Sequence, residues 1–193
     1  MISRIDHVSI AVRDYEKARA FFQDILGAVP CVAATDNHLN FYWRIFALGD
    51  LTRLELVTPS AENSFLDRFL SDKAGGVHHV TVEVTDIRAF KDRLDRNEVP
   101  YFGYSEALGV WKELFIHPRD AFGVLIQVAE FQPEDYLADE VRFPKNGPRW
   151  SVEKSDGGCE LTISHPGGGK AAMDLNREEI ERLIQDLQEA VRK

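Results

Sequence analysis

Two stretches of the chain repeat one pattern: Ile5-Asp6-His7-Val8-Ser9-Ile10-Ala11-Val12-Arg13-Asp14 and Val77-His78-His79-Val80-Thr81-Val82-Glu83-Val84-Thr85-Asp86. The distance along the chain from His7 to His79 equals the distance from Glu55 to Gln127. Each stretch is rich in Val and Ile and ends in an Asp, which is the pattern of a strand that leads into a helix N-cap. A spacing that holds from the first strand of a unit to its last indicates an internal duplication.

Each copy predicts the same order of elements, a strand followed by a helix and three further strands. Strands are predicted over residues 4–12, 29–34, 40–48 and 52–59 of the first copy, with a helix between Asp14 and Gly27. Strands are predicted over residues 77–84, 100–104, 112–117 and 123–130 of the second copy, with a helix over 86–97. A helical connection over 64–73 joins the copies. The chain therefore divides into modules 1–74 and 75–131.

Residues 132–193 lie outside the repeat. Residues 131–149 contain three prolines and predict an irregular linker, whereas residues 150–154 and 160–164 predict a hairpin. Asn176 with Glu179 predicts a capping box at the start of a closing helix. The Gly-rich stretch 165–169 lacks the Lys-Ser/Thr of a phosphate loop and predicts a plain loop. This ββα extension is expected to cover a surface or a subunit interface.

Composition excludes several classes of function. The net charge of −9 disfavours binding to nucleic acid or to an anionic membrane, and no apolar run is long enough to span a bilayer. The first residues lack a signal-peptide pattern, and two cysteines are too few for a disulfide scaffold. The sequence thus predicts a cytoplasmic protein that acts on a small molecule.

The pleat of the strands predicts which polar side chains share a face. Side chains alternate along a strand, so if the Val, Ile and Leu residues pack beneath the helices, His7, Glu55, His79 and Gln127 all point to the other side. The same alternation predicts that His78 points away from His79. A face that carries two His, a Glu and a Gln can close a four-ligand metal site between the modules.

These motifs resemble the vicinal oxygen chelate superfamily, which comprises glyoxalases, bleomycin resistance proteins and dioxygenases. Within it, the chain is most similar to methylmalonyl-CoA epimerases and glyoxalase I enzymes, on the stretches Ile5–Val12, Gly76–Val84 and His117–Ile126. The resemblance covers residues 3–131. It implies an α+β fold in which tandem βαβββ modules form one curved, eight-stranded mixed sheet, with a divalent metal ion in its concavity.

The resemblance also implies the ligands of that ion, which match His7, Glu55, His79 and Gln127 here. Such a set suits Co²⁺, Ni²⁺, Mn²⁺ or Zn²⁺ better than iron. The epimerases typically carry Gln where this chain has Glu55 and Glu where it has Gln127, so the pair is inverted. A second, non-ligand glutamate of those enzymes aligns near Arg44. Glyoxalase I enzymes typically have Glu at both ligand positions.

The predicted function is metal-assisted proton transfer α to a carbonyl, by an isomerase or a lyase whose base is Glu55. Trp43 and Arg44 are predicted to bind the substrate, an acyl-CoA thioester or a glutathione adduct. Glu83 lies four residues along the strand from His79, about 13 Å away, and is a weak candidate for direct proton transfer. His117, which precedes Pro118, is expected to be structural.

Two other functions fit the same fold. An iron-dependent dioxygenase could use the two His residues with Glu55, although Gln127 stands where its carboxylate is expected. A resistance-type protein would bind a small molecule without catalysis. The half-sheets leave a large surface to cover, which favours a homodimer.

Overall fold

The computed structural model describes residues 1–48, 52–106, 109–132, 150–164 and 170–192. The chain divides into two compact units, Met1–Glu140 and Val141–Lys193. The first unit contains β1 (Ile2–Val12), α1 (Tyr15–Arg19, continued by a π-helical segment Ala20–Ile25), β2 (Val29–Asp36), β3 (Phe41–Ala47), β4 (Arg53–Pro59), β5 (Gly75–Val84), α2 (Ile87–Arg96), β6 (Phe102–Ser105), β7 (Trp111–Ile116), a 3₁₀ turn (Pro118–Asp120) and β8 (Ile126–Phe131).

The eight strands of this unit form one mixed sheet in the order β2-β3-β4-β1-β5-β8-β7-β6. β1 and β5 pair antiparallel at its centre, and each pairs on its outer side with the last strand of its own module, in parallel. The order on one side of the centre thus mirrors the order on the other. The sheet curls into a half-barrel, which confirms the predicted tandem βαβββ fold.

The helices pack against one face of the sheet, where the Val, Ile and Leu residues of the strands point. Asp14 and Asp86 cap α1 and α2, because their side chains accept hydrogen bonds from the backbone N–H of Lys17 and Ala89. Two cores result, one per module, which include the fully buried Leu56 beneath α1 and Leu114 beneath α2. These cores hold the sheet so that the opposite face is free for polar chemistry.

The connection between the modules is not the predicted helix. Residues 64–73 form successive hydrogen-bonded turns, in which most backbone bonds, such as Asp67 N–H to Ser64 O at 3.0 Å, span three residues. Leu66 and Leu70 of this segment are buried against Ala11 and Val57. The apolar spacing that suggested a helix therefore reflects packing of the turns onto the sheet.

The second unit holds a three-stranded antiparallel sheet, β11-β10-β9, and a helix. These elements are β9 (Trp150–Ser155), β10 (Gly158–Ser164), β11 (Lys170–Asn176) and α3 (Arg177–Ala190). The predicted hairpin and capping box of Asn176 with Glu179 are present, and β11 adds a strand that the sequence analysis missed. The predicted linker beyond residue 132 and the loop 165–169 lie outside the described residues. Among those residues, no helix is long and apolar enough to cross a membrane.

Candidate active site

The two central strands are each interrupted by a bulge immediately before a histidine. In the pairing of β1 with β5, Asp6 is the extra residue of one strand and His78 the extra residue of the other. Asp6 and His78 occupy equivalent positions in the two modules, each directly before the repeated histidine. Because of the bulge, His78 lines the same cavity as His79. The prediction that it points to the opposite face was therefore wrong.

Each bulged residue bonds to the Nδ1 atom of the histidine that follows it. Asp6 Oδ2 lies 2.7 Å from His7 Nδ1, and His78 Nδ1 lies 2.9 Å from His79 Nδ1. A carboxylate only accepts, so His7 donates through Nδ1, and a neutral His7 then has its lone pair on Nε2. The Nε2 atoms of His7 and His79 both point toward Glu55.

His7, Glu55 and His79 form a buried cluster of metal-ligating groups. Glu55 Oε2 lies 3.9 Å from His7 Nε2 and 3.5 Å from His79 Nε2, and one ligand atom from each residue lies within 4.8 Å of the others. Two ligands that each bind one ion at about 2.1 Å lie roughly 3–4 Å apart, so these separations fit a shared metal ion. Glu55 Oε2 and His79 Nε2 are also buried without a hydrogen-bond partner, which is costly unless a cation lies between them.

The electrostatics of the cluster agree with a cation site. Burial, together with the nearby His7 and His78, holds the pKa of His79 well below its usual value, so its imidazole is neutral and available as a ligand. Burial raises the pKa of Glu55; His7 opposes this shift and repulsion from Glu113 adds to it. The residues present therefore fit a divalent metal ion held by His7, Glu55 and His79.

A buried ion-pair network fixes the first of these ligands. Burial alone would raise the pKa of Asp6, but hydrogen bonds and charge from His7 and Arg53 lower it overall. Arg53 Nε lies 3.1 Å from both carboxylate oxygens of Asp6, and Arg4 Nη2 lies 3.1 Å from Oδ1. Arg4 also donates to Glu83 Oε2 at 2.8 Å. Asp6 in turn orients the His7 ring, as carboxylates commonly do for metal-binding histidines.

A second polar chain leads from His7 to the far side of the cavity. Thr81 Oγ1 lies 2.8 Å from His7 Nε2 and 2.5 Å from Gln127 Oε1, and the amide of Gln127 donates to Glu113 Oε2 at 2.6 Å. Trp111 Nε1 donates to the same Glu113 oxygen at 2.8 Å. The Thr81 hydroxyl has one proton, which it can donate to His7 Nε2 or to Gln127 Oε1 but not to both. The atom that does not receive this proton keeps a free lone pair, which again fits a cation.

A cavity of about 640 Å³ opens over these residues and is lined from both halves of the sheet. Its volume lies within the range of small-molecule sites. Most of its wall is aromatic or aliphatic, and its polar groups include three histidines, His7, His78 and His79. The aromatic residues that line it are Phe41, Trp43, Phe65, Phe102, Trp111 and Phe115. A small molecule bound there would contact a largely apolar wall.

The structure brings most of the predicted site residues into this cavity. His7, Glu55, His79, Gln127 and Trp43 all line it. Three other residues lie elsewhere. Arg44 follows Trp43 on β3, points to the opposite face and interacts with Tyr15, so the prediction that Arg44 binds substrate is corrected. Glu83 is engaged with Arg4, and His117 caps the 3₁₀ turn by accepting from Arg119 N–H.

Glu113 is the functional group that the sequence analysis missed. It lies on β7 between Trp111 and Phe115, which line the cavity, and the alternating residues Leu114 and Ile116 are buried on the other face. The sequence did contain a signal, because Trp111, Glu113 and Phe115 stand at every second position and therefore share one face of a strand. A carboxylate on an aromatic wall indicates a chemical role rather than a packing role.

Comparison with known proteins agrees with this geometry. Residues 6–111 match the Glyoxalase/Bleomycin resistance protein/Dioxygenase superfamily, and the chain belongs to it. Its relatives include the mitochondrial methylmalonyl-CoA epimerase of Homo sapiens, 34% identical over 67% of this chain and 74% of the relative. The ethylmalonyl-CoA/methylmalonyl-CoA epimerase of Cereibacter sphaeroides is 37% identical over 67% of this chain and 99% of the relative.

Solved structures of the same class share the fold. The crystal structure of methylmalonyl-CoA epimerase from Mycobacterium tuberculosis has a TM-score of 0.62 and 28% sequence identity, over 69% of this chain and 91% of that one. The resemblance to the epimerases that the sequence motifs indicated is thereby confirmed.

Proposed function

We propose that the protein is a metal-dependent epimerase of short branched malonyl-CoA thioesters, of the methylmalonyl-CoA class. The observation that carries this proposal is the buried cluster of His7, Glu55 and His79 in the wall of a largely apolar cavity, where Glu55 Oε2 and His79 Nε2 have no hydrogen-bond partner. The homology to epimerases supports the substrate class, because relatives at 34% and 37% identity bear that activity in their names.

The proposed ligands of the ion are His7, Glu55, His79 and the amide oxygen of Gln127. When bound, a divalent ion polarises a carbonyl oxygen and so makes the neighbouring C–H more acidic. The cavity offers a largely apolar wall, and a substrate that displaced water from it would strengthen the electrostatic interactions at the proposed ion. Asp6 orients the His7 ring through Nδ1, the nitrogen that faces away from the proposed ion.

Glu55 is proposed to take part in the proton transfer. The Glu55 residue is 9% exposed and lines the cavity beside His7 and His79, so its carboxylate can reach a substrate bound there. A general base must lie within hydrogen-bond reach of the proton that it removes. The Glu55 carboxylate is therefore suited to receive an α-proton and to return it.

The test is a panel of three substrates, each assayed with protein stripped by chelator and with protein reloaded with Co²⁺, Ni²⁺, Mn²⁺, Zn²⁺ or Fe²⁺. We expect interconversion of the methylmalonyl-CoA epimers, only with metal, and a fall of at least about 100-fold in Glu55→Gln. The exposed Glu62→Gln is the matched control and should retain full activity.

The other two substrates separate the alternatives. Turnover of a glutathione hemithioacetal would indicate a glyoxalase-type lyase. Cleavage of a catechol with Fe²⁺ and oxygen would favour a dioxygenase, for which two histidines and one carboxylate are the usual ligands. Either result without interconversion of the epimers would overturn the proposal, as would full activity after removal of metal.

A further inference from the structure

Glu113 stands opposite Glu55 across the cavity. Glu55 lies on β4 beside β1, whereas Glu113 lies on β7, beyond β8, on the other side of the central pair of strands. Because the sheet curls and both residues line the cavity, the two carboxylates approach it from opposite walls. This placement matters for a reaction that inverts a carbon centre.

Inversion of an α-carbon needs proton-transfer groups on two sides. One group removes the proton from one face of the carbon, and another group returns a proton to the opposite face. A single carboxylate fixed in one wall reaches only one face. The proposed function therefore requires a partner for Glu55 on the facing wall.

Four carboxylates line the cavity among the residues that the structure describes: Asp6, Asp36, Glu55 and Glu113. Asp6 is bound to Arg53 and to His7 and has an orienting role. Asp36 accepts hydrogen bonds from two backbone N–H groups of the turn that follows it, at 2.8 Å each. Glu113 is the remaining carboxylate opposite Glu55.

Glu113 is held in a way that suits proton transfer. Trp111 Nε1 and Gln127 Nε2 both donate to Oε2, so the carboxylate is fixed along one edge. Neither of these bonds uses Oε1. A carboxylate that lines the cavity, is fixed along one edge and has its second oxygen outside those two bonds can act as a general base on a substrate within hydrogen-bond reach.

Internal symmetry shows that this position is not shared by the first module. On β7, Glu113 lies two residues before Phe115, which pairs with Gln127. On β3, Trp43 lies two residues before Ile45, which pairs with Glu55. The two positions are therefore equivalent, and only the second module has a carboxylate there. The first module instead supplies the acidic ligand Glu55, so each half of the sheet contributes one carboxylate.

We propose that Glu113 is the second catalytic carboxylate, which exchanges a proton with the face of the α-carbon opposite to Glu55. In one direction the C–H bond breaks, its proton passes to Glu113 Oε1 and its electron pair moves into the thioester carbonyl. The carboxylic acid of Glu55 then delivers a proton to the other face, and the electron pair returns to form the new C–H bond. Exchange with water restores both carboxyl groups to their starting states.

The test compares Glu113→Gln with Glu55→Gln, each loaded with the same metal ion. Glutamine keeps an oxygen that can accept from Trp111, so the fold of the wall should be retained. Each variant is incubated in D₂O with each pure epimer of methylmalonyl-CoA. Loss of the α-proton is followed by NMR and inversion by a stereospecific coupling enzyme, and metal content is measured by elemental mass spectrometry.

We expect Glu113→Gln to bind metal as wild type does and to invert at least about 100-fold more slowly. Glu113→Gln should still exchange the α-proton of one epimer. Glu55→Gln should exchange the α-proton of the other epimer only. Glu62→Gln should match wild type in every assay.

The assignment depends on the proposed function, and the two can fail separately. Inversion by Glu113→Gln within threefold of wild type would overturn the assignment alone, as would loss of exchange for both epimers with metal intact. Wild-type protein that neither exchanges nor inverts either epimer would overturn the proposed function and this assignment with it.

Discussion

Replacement of Asp6 by Asn should destabilise the first unit and weaken the metal site together. The side chains of Asp6 and Arg53 are 0% and 2% exposed, so the substitution removes a charged hydrogen-bond acceptor from a buried guanidinium. Breaking a buried ion pair at one partner costs about 3–5 kcal/mol. Since the amide of Asn still accepts one hydrogen bond, we expect a loss near the lower limit, ~3 kcal/mol.

Urea unfolding measures this loss. With an m-value of ~2 kcal/mol/M, a loss of ~3 kcal/mol lowers the midpoint by ~1.5 M. Chelator removes any contribution of bound metal, and a Trp150→Phe background leaves only Trp43 and Trp111, both of the first unit, to report by fluorescence. The exposed Asp72→Asn is the matched control.

The double variant Asp6→Asn/Arg53→Met tests the cause. If the lost contact between Asp6 and the buried Arg53 is responsible, the double variant should be more stable than the sum of the single losses predicts, by about 1–3 kcal/mol. Metal affinity of Asp6→Asn should fall about 10–100-fold, because His7 loses the group that orients it. An unchanged urea midpoint, or strictly additive losses, would show that the contact between Asp6 and Arg53 does not stabilise the first unit.

Three further predictions concern other parts of the chain. Hydrogen bonds from Arg88 and Tyr104 lower the pKa of Glu106 to about 2, so their stabilising effect is fully present above the ordinary pKa of a glutamate and is lost as the pH falls through about 2. An NMR titration of Glu106 should show a midpoint near that value, and Arg88→Gln should raise the midpoint. A midpoint that Arg88→Gln leaves unmoved would contradict the contact with Arg88. Leu56→Ala should lower the unfolding free energy by about 2–5 kcal/mol in the same urea assay, because Leu56 is fully buried; a loss under ~1 kcal/mol would argue against its place in the core. Asn176→Ala removes a capping box and should speed amide exchange in α3 by about fivefold, which corresponds to ~1 kcal/mol; exchange at the wild-type rate would contradict the cap.

The shared face of the four proposed metal ligands could be predicted from the sequence because it depends on regular features. The constant spacing between the two copies and the alternation of side chains along strands were enough to place His7, Glu55, His79 and Gln127 on one face. The same alternation also excludes Arg44 from the face that Trp43 occupies, since neighbours on a strand point to opposite sides.

The remaining features of the site depend on departures from regularity. The bulges at Asp6 and His78 insert one residue into each central strand, and an inserted residue reverses the expected orientation. The place of Glu113 depends on the register of β7 against β8, which tertiary packing decides. The predicted homodimer and cytoplasmic location stay predictions.

The most direct test of the proposed epimerase activity measures what happens at the α-carbon of one substrate. Metal-loaded wild-type protein is incubated in D₂O with a single pure epimer of methylmalonyl-CoA, and the stereochemistry and the deuterium content at that carbon are measured together over time. We predict that the epimer converts to a near-equal mixture and that the inverted product carries deuterium from the solvent. An epimer that keeps both its configuration and its α-proton, with about one metal ion per chain, would contradict the proposed epimerase.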